Sequence, residues 1–203
     1  MDSLIPTLAI WALPVLLAIT LHEAAHGYVA RHFGDPTADL AGRITLNPLR
    51  HIDPVGTVLV PAGILALSAL AGSGGILFGW AKPVPVNFSR LRNPKADMLW
   101  VAAAGPFTNL VMAVMWSMLG SFAAGSGGSY SLARMKMADA GVQINAVLML
   151  LNLLPIPPLD GGRIAVSLLP DRLAWRYARL EPYGFPILLV LLFTGILGSI
   201  LWP

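Results

Sequence analysis

Residues 4–31 read LIPTLAIWALPVLLAITLHEAAHGYVAR, and no side chain from Leu4 to Leu21 carries a formal charge. An apolar run of this length exceeds the roughly 20 residues that a helix needs to cross a hydrocarbon core. It predicts one long membrane helix from Leu4 to Arg31, with Pro6 tolerated in the first turn and a kink at Pro14. The run lacks the basic start and the small-residue cleavage pattern of a signal peptide, so it is expected to belong to the mature fold. Its polar end, His22-Glu23-Ala24-Ala25-His26, decides the chemistry.

The rest of the chain agrees with a membrane setting. Of 203 residues, 56% are hydrophobic and 11% charged, and the mean hydropathy is +0.72, well outside the range of ordinary soluble domains. The net charge of +3 is carried mainly by segments between apolar stretches, where headgroups and the positive-inside rule explain it without nucleic acid as a partner. There is no cysteine, which excludes disulfides and thiolate metal sites.

Reading onward, residues 42–53 (GRITLNPLRHID) alternate loosely and predict short strands or an irregular hairpin at the membrane surface. A second apolar segment covers Pro54 to Ala71, and the spaced prolines of Phe78 to Phe88 (FGWAKPVPVNF) forbid a helix there. Further helices are expected over Lys95 to Phe122, from Met137 to just before the Pro155–Pro158 cluster, over a short amphipathic stretch from Gly162 to Arg179, and from Tyr183 to Leu201. The expected fold class is an all-α polytopic membrane protein. It has about four to five transmembrane helices, a re-entrant or extended segment and short membrane-associated strands, in one domain over residues 1–203.

Charge sets the topology. Residues 1–30 contain no Lys or Arg, whereas Arg31, Arg43, Arg50, Lys82, Arg90, Arg92 and Lys95 crowd the next two loops. Both loops are therefore placed on the cytoplasmic side, against the minority vote of Arg134 and Lys136. That scheme requires the chain from Pro54 to Trp80 to enter and return on one side. Its extended return would have to be buried against protein or line a wet cavity.

His22-Glu23-Ala24-Ala25-His26 is the pattern H-E-x-x-H, which puts two imidazoles one helical turn apart on one face. Zinc is the metal this pattern implies, and a catalytic zinc site needs one further protein ligand while leaving a position for water. Glu23 is placed to take a proton from that water and pass it to a leaving amine. Charged and polar groups inside a membrane span are costly, so a functional site is the default reading of these residues. For the third ligand, Asp160 follows a helix broken by Pro155, Pro157 and Pro158 and precedes Gly161-Gly162, whose backbone freedom can aim it inward. The alternative for Asp160 is a helix N-cap. On the charge-derived topology, the end of the Met137 helix and the H-E-x-x-H segment meet near the cytoplasmic face.

His22-Glu-Ala-Ala-His26 in a membrane helix, with Asn152-x-x-Pro155-x-x-x-x-Asp160-Gly161 ending a later one, resembles the site-2 protease family of intramembrane metalloproteases. The chain looks like a minimal form without a PDZ or CBS domain. The resemblance implies His22, His26 and Asp160 as ligands of one Zn2+ per chain, Glu23 as catalytic base, and transmembrane proteins as substrates, in a multi-pass protein of the prokaryotic plasma membrane. Gly105-Pro-Phe-Thr-Asn109 also looks like a family feature. Asn109 and Asn152 are then helpers that orient ligands or hold unwound substrate backbone, the alternative being interhelical hydrogen bonding. Residues 42–53 and 78–88 are candidates for offering substrate an edge strand. A membrane metal-ion transporter or channel is the rival function. It would place His and Asp in the membrane but has no special need for Glu23. A catalytically silent scaffold is a third.

Other conspicuous residues have simpler expectations. His32 and His51 read as interfacial or helix-end residues. Asp53, Asp97 and Asp139 read as caps or dipole partners, and Trp80, Trp100, Trp175 and Trp202 as headgroup-level anchors.

Overall fold

The computed structural model describes residues 4–60, 62–63, 81–126, 128 and 130–201. Among them every regular element is helical. The first, α1, runs Leu4–His32 and holds Pro14 inside it, fully buried. Arg31 and His32 occupy its last turn, where cations complement the helix C-terminus. Gly34, at φ +106°, turns the chain out of the helix, and Asp35 pins the segments beyond it. Its Oδ1 accepts from the Thr37 amide at 3.0 Å and from the Thr37 hydroxyl, and its Oδ2 from the Asn87 amide at 2.6 Å. Burial pushes the Asp35 pKa up, but the bonds from Thr37 and Asn87 and the charge of Arg90 outweigh it and hold the carboxyl below its ordinary range.

After the short α2 (Thr37–Leu40) the structure departs from expectation. Residues 42–53 form turns around a 3-10 helix, Pro48–Arg50, not strands. Asn47 explains this, since its side chain accepts from the Leu49 amide and Pro48 fixes the first helical φ. His51 takes the helix-end role, at the C-cap of that 3-10 helix, and is buried there with Nε2 against the Thr45 carbonyl at 3.1 Å. Asp53 caps as expected, accepting from Val55 and Gly56 at the start of a π-helical turn, Pro54–Leu59. The remainder of the second apolar segment, from 64 to 71, lies outside the described residues, as do Trp80 and Trp202. Residues 81–87 are extended and end in a 3-10 turn, Phe88–Arg90.

The helix α3 spans Pro94–Ser126. Asp97 in its first turn trades hydrogen bonds with Asn93, accepting from the Asn93 amide at 2.7 Å and donating its own amide to the Asn93 carbonyl at 2.8 Å. At 1.5 Å per residue α3 is about 50 Å long, more than the thickness of a hydrocarbon core. Phe107, Val111, Val114, Met118 and Phe122 make one exposed apolar stripe along it. In water such a patch would be a liability; lipid accounts for it. Both α1 and α3 are long and apolar enough to cross a membrane.

The helix α4, Ser131–Leu153, starts earlier than expected. Arg134, Lys136 and Asp139 therefore lie inside a helix, so Asp139 is not a cap. Leu, Ala, Arg, Met and Lys are all strong helix formers, and this outweighs the charge that suggested a loop. The remaining expectations are each split in two. In place of one amphipathic helix there are α5 (Asp160–Leu168) and α6 (Asp171–Ala178), because Pro170 drives Leu169 to an extended ψ of 149°. The final apolar stretch is α7 (Glu181–Phe193) and α8 (Ile196–Leu201), separated at Gly195, whose φ is +77°.

The helices α1, α3 and α4 pack together, and α5 packs on α3. Buried Ala30, Leu91, Met98, Val101 and Ala102 form the core cluster, with Val86 and Ile164 against it. Small side chains at Ala18, Ala138, Ala140 and Gly141 let the helix backbones approach. The Pro155–Pro158 loop is clamped. A Cβ on Gly162 would strike the Ile156–Pro157 backbone, and one on Gly161 the carbonyls of Leu153 and Leu154, so the start of α5 has one seat.

Candidate metal and active site

Three side chains from two distant segments meet at that seat. His22 and His26 project from the same face of α1, and their Nε2 atoms are 3.1 Å apart. Asp160, the first residue of α5, brings its Oδ2 to 3.3 Å from both. All three residues form one buried group. The N-cap alternative for Asp160 does not hold, because the cap position is Leu159 and Oδ2 has no hydrogen-bond donor.

The proton positions follow from the outer partners. His26 Nδ1 faces the Val101 carbonyl at 2.7 Å, an acceptor, so Nδ1 carries the hydrogen. His22 Nδ1 faces Asn109 Oδ1 at 2.5 Å. That amide cannot be turned round, since Asn109 Nδ2 donates to Asn145 Oδ1 at 2.8 Å and to the Ala18 carbonyl at 3.3 Å. Asn145 is itself fixed by donating to the Gly141 carbonyl at 2.8 Å. Both imidazoles thus carry a hydrogen on Nδ1, which turns each Nε2 toward the other and toward a carboxylate oxygen.

Three lone pairs converging in a buried space repel unless a cation lies between them. The spacing leaves room for a small ion. Metal–ligand bonds of about 2.0–2.2 Å put tetrahedral ligands about 3.3–3.6 Å apart, against the observed 3.1, 3.3 and 3.3 Å. The donor set, two imidazoles and one carboxylate, is that of a catalytic zinc site with one corner open. Gly105 of α3 keeps the space clear: a Cβ there would lie 2.5 Å from His22 Cε1 and His26 Nε2. Glycine followed by Pro106 is a poor choice for a helix interior, costing about 1 and about 3 kcal/mol in an exposed helix. The approach to the imidazoles explains the glycine.

Glu23 is half-buried, and its Oε2 accepts from the Val84 amide at 2.7 Å, across from the extended residues 81–87. Beside the motif an open apolar groove of about 480 Å³ is lined by Ala24, Ala25, Tyr28, Ile44, Leu46 and Phe107, among others. Asn152 makes no hydrogen bond to the three-residue group; its amide donates to Leu148 within α4 at 3.0 Å. Three contributors escape a reading of the sequence for site residues. Asn145 is a fully buried amide in an apolar helix, which as a residue type reads as ordinary interhelical hydrogen bonding. Val84 and Val101 act through their main chains, which leave no signal in residue type.

Residues 129–195 match the model of peptidase family M50. A Bacillus subtilis (strain 168) protein bearing the name zinc metalloprotease YwhC is 38% identical over 213 residues, covering 99% of this chain and 86% of its own length. Rip2 of Mycolicibacterium smegmatis, also named a zinc metalloprotease, is 33% identical over 185 residues, 90% of this chain and 66% of its own. Rip2 of Mycobacterium tuberculosis is 28% identical over 182 residues, 84% of this chain and 56% of its own. No solved structure matches the chain. A buried donor set of two histidines and one carboxylate built on H-E-x-x-H and a near full-length relative therefore lead to one conclusion: the chain belongs to peptidase family M50, the site-2 protease family of membrane zinc metalloproteases.

Proposed function

We propose that the protein is a multi-pass, single-domain intramembrane endopeptidase, over residues 1–203, that cuts transmembrane protein substrates from a site near the cytoplasmic face. The observation that carries the reading is the mutual approach of His22 Nε2, His26 Nε2 and Asp160 Oδ2. These three residues would hold one zinc ion per chain. Zinc bound there supplies Lewis-acid polarisation of the scissile carbonyl and lowers the pKa of water. Glu23 takes a proton from the attacking water as the oxygen–carbon bond forms, and returns it to the amide nitrogen as the carbon–nitrogen bond breaks. Asn109, locked by Asn145, holds His22 in the tautomer that keeps its Nε2 free.

The groove beside α1 supports an apolar substrate, since Tyr28, Ile44, Leu46 and Phe107 offer a hydrophobic side chain a place next to the motif. The amide oxygen of Asn152 remains for unwound substrate backbone. The basic residues between the end of α1 and the start of α3, set against a stretch without Lys or Arg over residues 1–30, support the cytoplasmic placement.

A Glu23→Gln variant tests the assignment. It is expected to retain one zinc per chain while cleavage of a single-span peptide falls about 10²–10⁴-fold, the range for loss of a general base. Undiminished cleavage would remove Glu23 from this role.

A further inference from the structure

We infer that residues 82–87 are a fixed strap whose Val84 amide orients the carboxylate of Glu23, making Val84 a positioning residue that acts through its main chain; the inference rests on Glu23 being the base of the proposed reaction. The strap is tied at both ends. The Lys82 amide donates to the His51 carbonyl at 2.9 Å, and the Asn87 amide to Asp35 Oδ2 at 2.6 Å. Between the anchors the sequence is Pro83-Val84-Pro85. Proline has no N–H, holds φ near −65° and biases the preceding residue to extended backbone. The single amide hydrogen of that tripeptide is therefore Val84's, and it goes to Glu23 Oε2 at 2.7 Å.

Packing puts the strap at this height. Val84 is buried, while Lys82, Pro83 and Pro85 are exposed. One turn beyond Glu23, Gly27 opens the surface of α1 to it. A Cβ on Gly27 would come within 3.1 Å of Val84 Cγ1, 3.1 Å of Ile44 Cγ1 and 3.0 Å of Ala38 Cβ. A glutamate has three rotatable bonds, and a charge-assisted bond from a clamped amide restricts them. Oε1 accepts no hydrogen bond among the described residues, so the oxygen left over is the one available to take a proton.

The contact is read first without substrate, by amide hydrogen exchange of the full-length, detergent-solubilised protein. In peptides covering the strap the informative amides are those of Val84, Val86 and Asn87. In Glu23→Ala, Val84 is expected to exchange about tenfold faster or more, the loss of one hydrogen bond to a charged group, with Asn87 unchanged. Glu23→Gln, which still offers an oxygen, keeps most of the protection. A wild-type Val84 that is already unprotected, or one indifferent to Glu23→Ala, overturns the inference. The second measurement replaces the Val84 N–H by oxygen, using the 2-hydroxy analogue of valine inserted by nonsense suppression, which deletes one donor and keeps the side chain. With zinc content at the wild-type level, kcat on a single-span peptide should fall about tenfold at unchanged KM. Unchanged kcat, raised kcat or parallel loss of zinc each overturns the positioning role. If Glu23→Gln cleaves as well as wild type in that assay, the role of Glu23 as base is what fails, and the exchange result stands on its own.

Discussion

The two sides of the metal site are held by different forces. On α1 each imidazole is oriented by a hydrogen bond behind it, to Asn109 for His22 and to the Val101 carbonyl for His26. On α5, Asp160 has no donor behind Oδ2 and owes its position to backbone packed against backbone at Gly161 and Gly162. The first side is a polar network that can be loosened one bond at a time. The second is a steric seat, which either fits or does not. Polar positioning inside a membrane span is expensive unless every member is satisfied, and the chain of Asn109, Asn145 and the Gly141 carbonyl shows how it is satisfied here.

That contrast can be broken by graded substitutions read as zinc content and affinity of the purified protein. The largest effect is expected from Asp160→Ala, which removes a ligand and should leave wild-type preparations near one zinc per chain and the variant near none; full retention would point to another third ligand. Next comes Gly162→Ala. Its methyl cannot fit against Ile156–Pro157, so the seat should shift at a cost of about 1–3 kcal/mol in stability, with zinc lost in the same titration. If that variant binds zinc normally, packing does not position Asp160. Asn109→Ala should be milder, weakening zinc about 10–100-fold while the fold survives, and Asn145→Ala milder again, since it acts one bond further out. Equal losses for the two asparagines would mean that they act as one unit.

The long helices are legible because membrane spans follow from apolar length alone, and α1 matches its expected span to within a residue. Strands over 42–53 are a misreading because loose alternation does not outweigh an Asn-Pro pair that caps a 3-10 turn. The start of α4 is misplaced by the sequence because charge in a membrane protein suggests a loop, whereas helical propensity continues past the apolar boundary. Of the site, His22, Glu23 and His26 stand out because their spacing is helical. Asp160 stands out because an acid after a proline-broken helix has few other reasons to be there, and the structure brings it to both histidines. Asn145, Val101 and Val84 do not stand out. The first resembles ordinary membrane glue, and the other two contribute atoms that every residue possesses.

Gly105 bears on how such sequences are read across a family. The position carries no reactive group, yet any carbon attached to it would stand where the two imidazoles and their ion must be. A relative that keeps both histidines, the glutamate and the aspartate, but has a larger residue at this place, would have every part of the inventory and no room to assemble it. Divergence into an inactive paralogue can therefore begin at a glycine on a neighbouring helix, with the signature by which the family is recognised left intact.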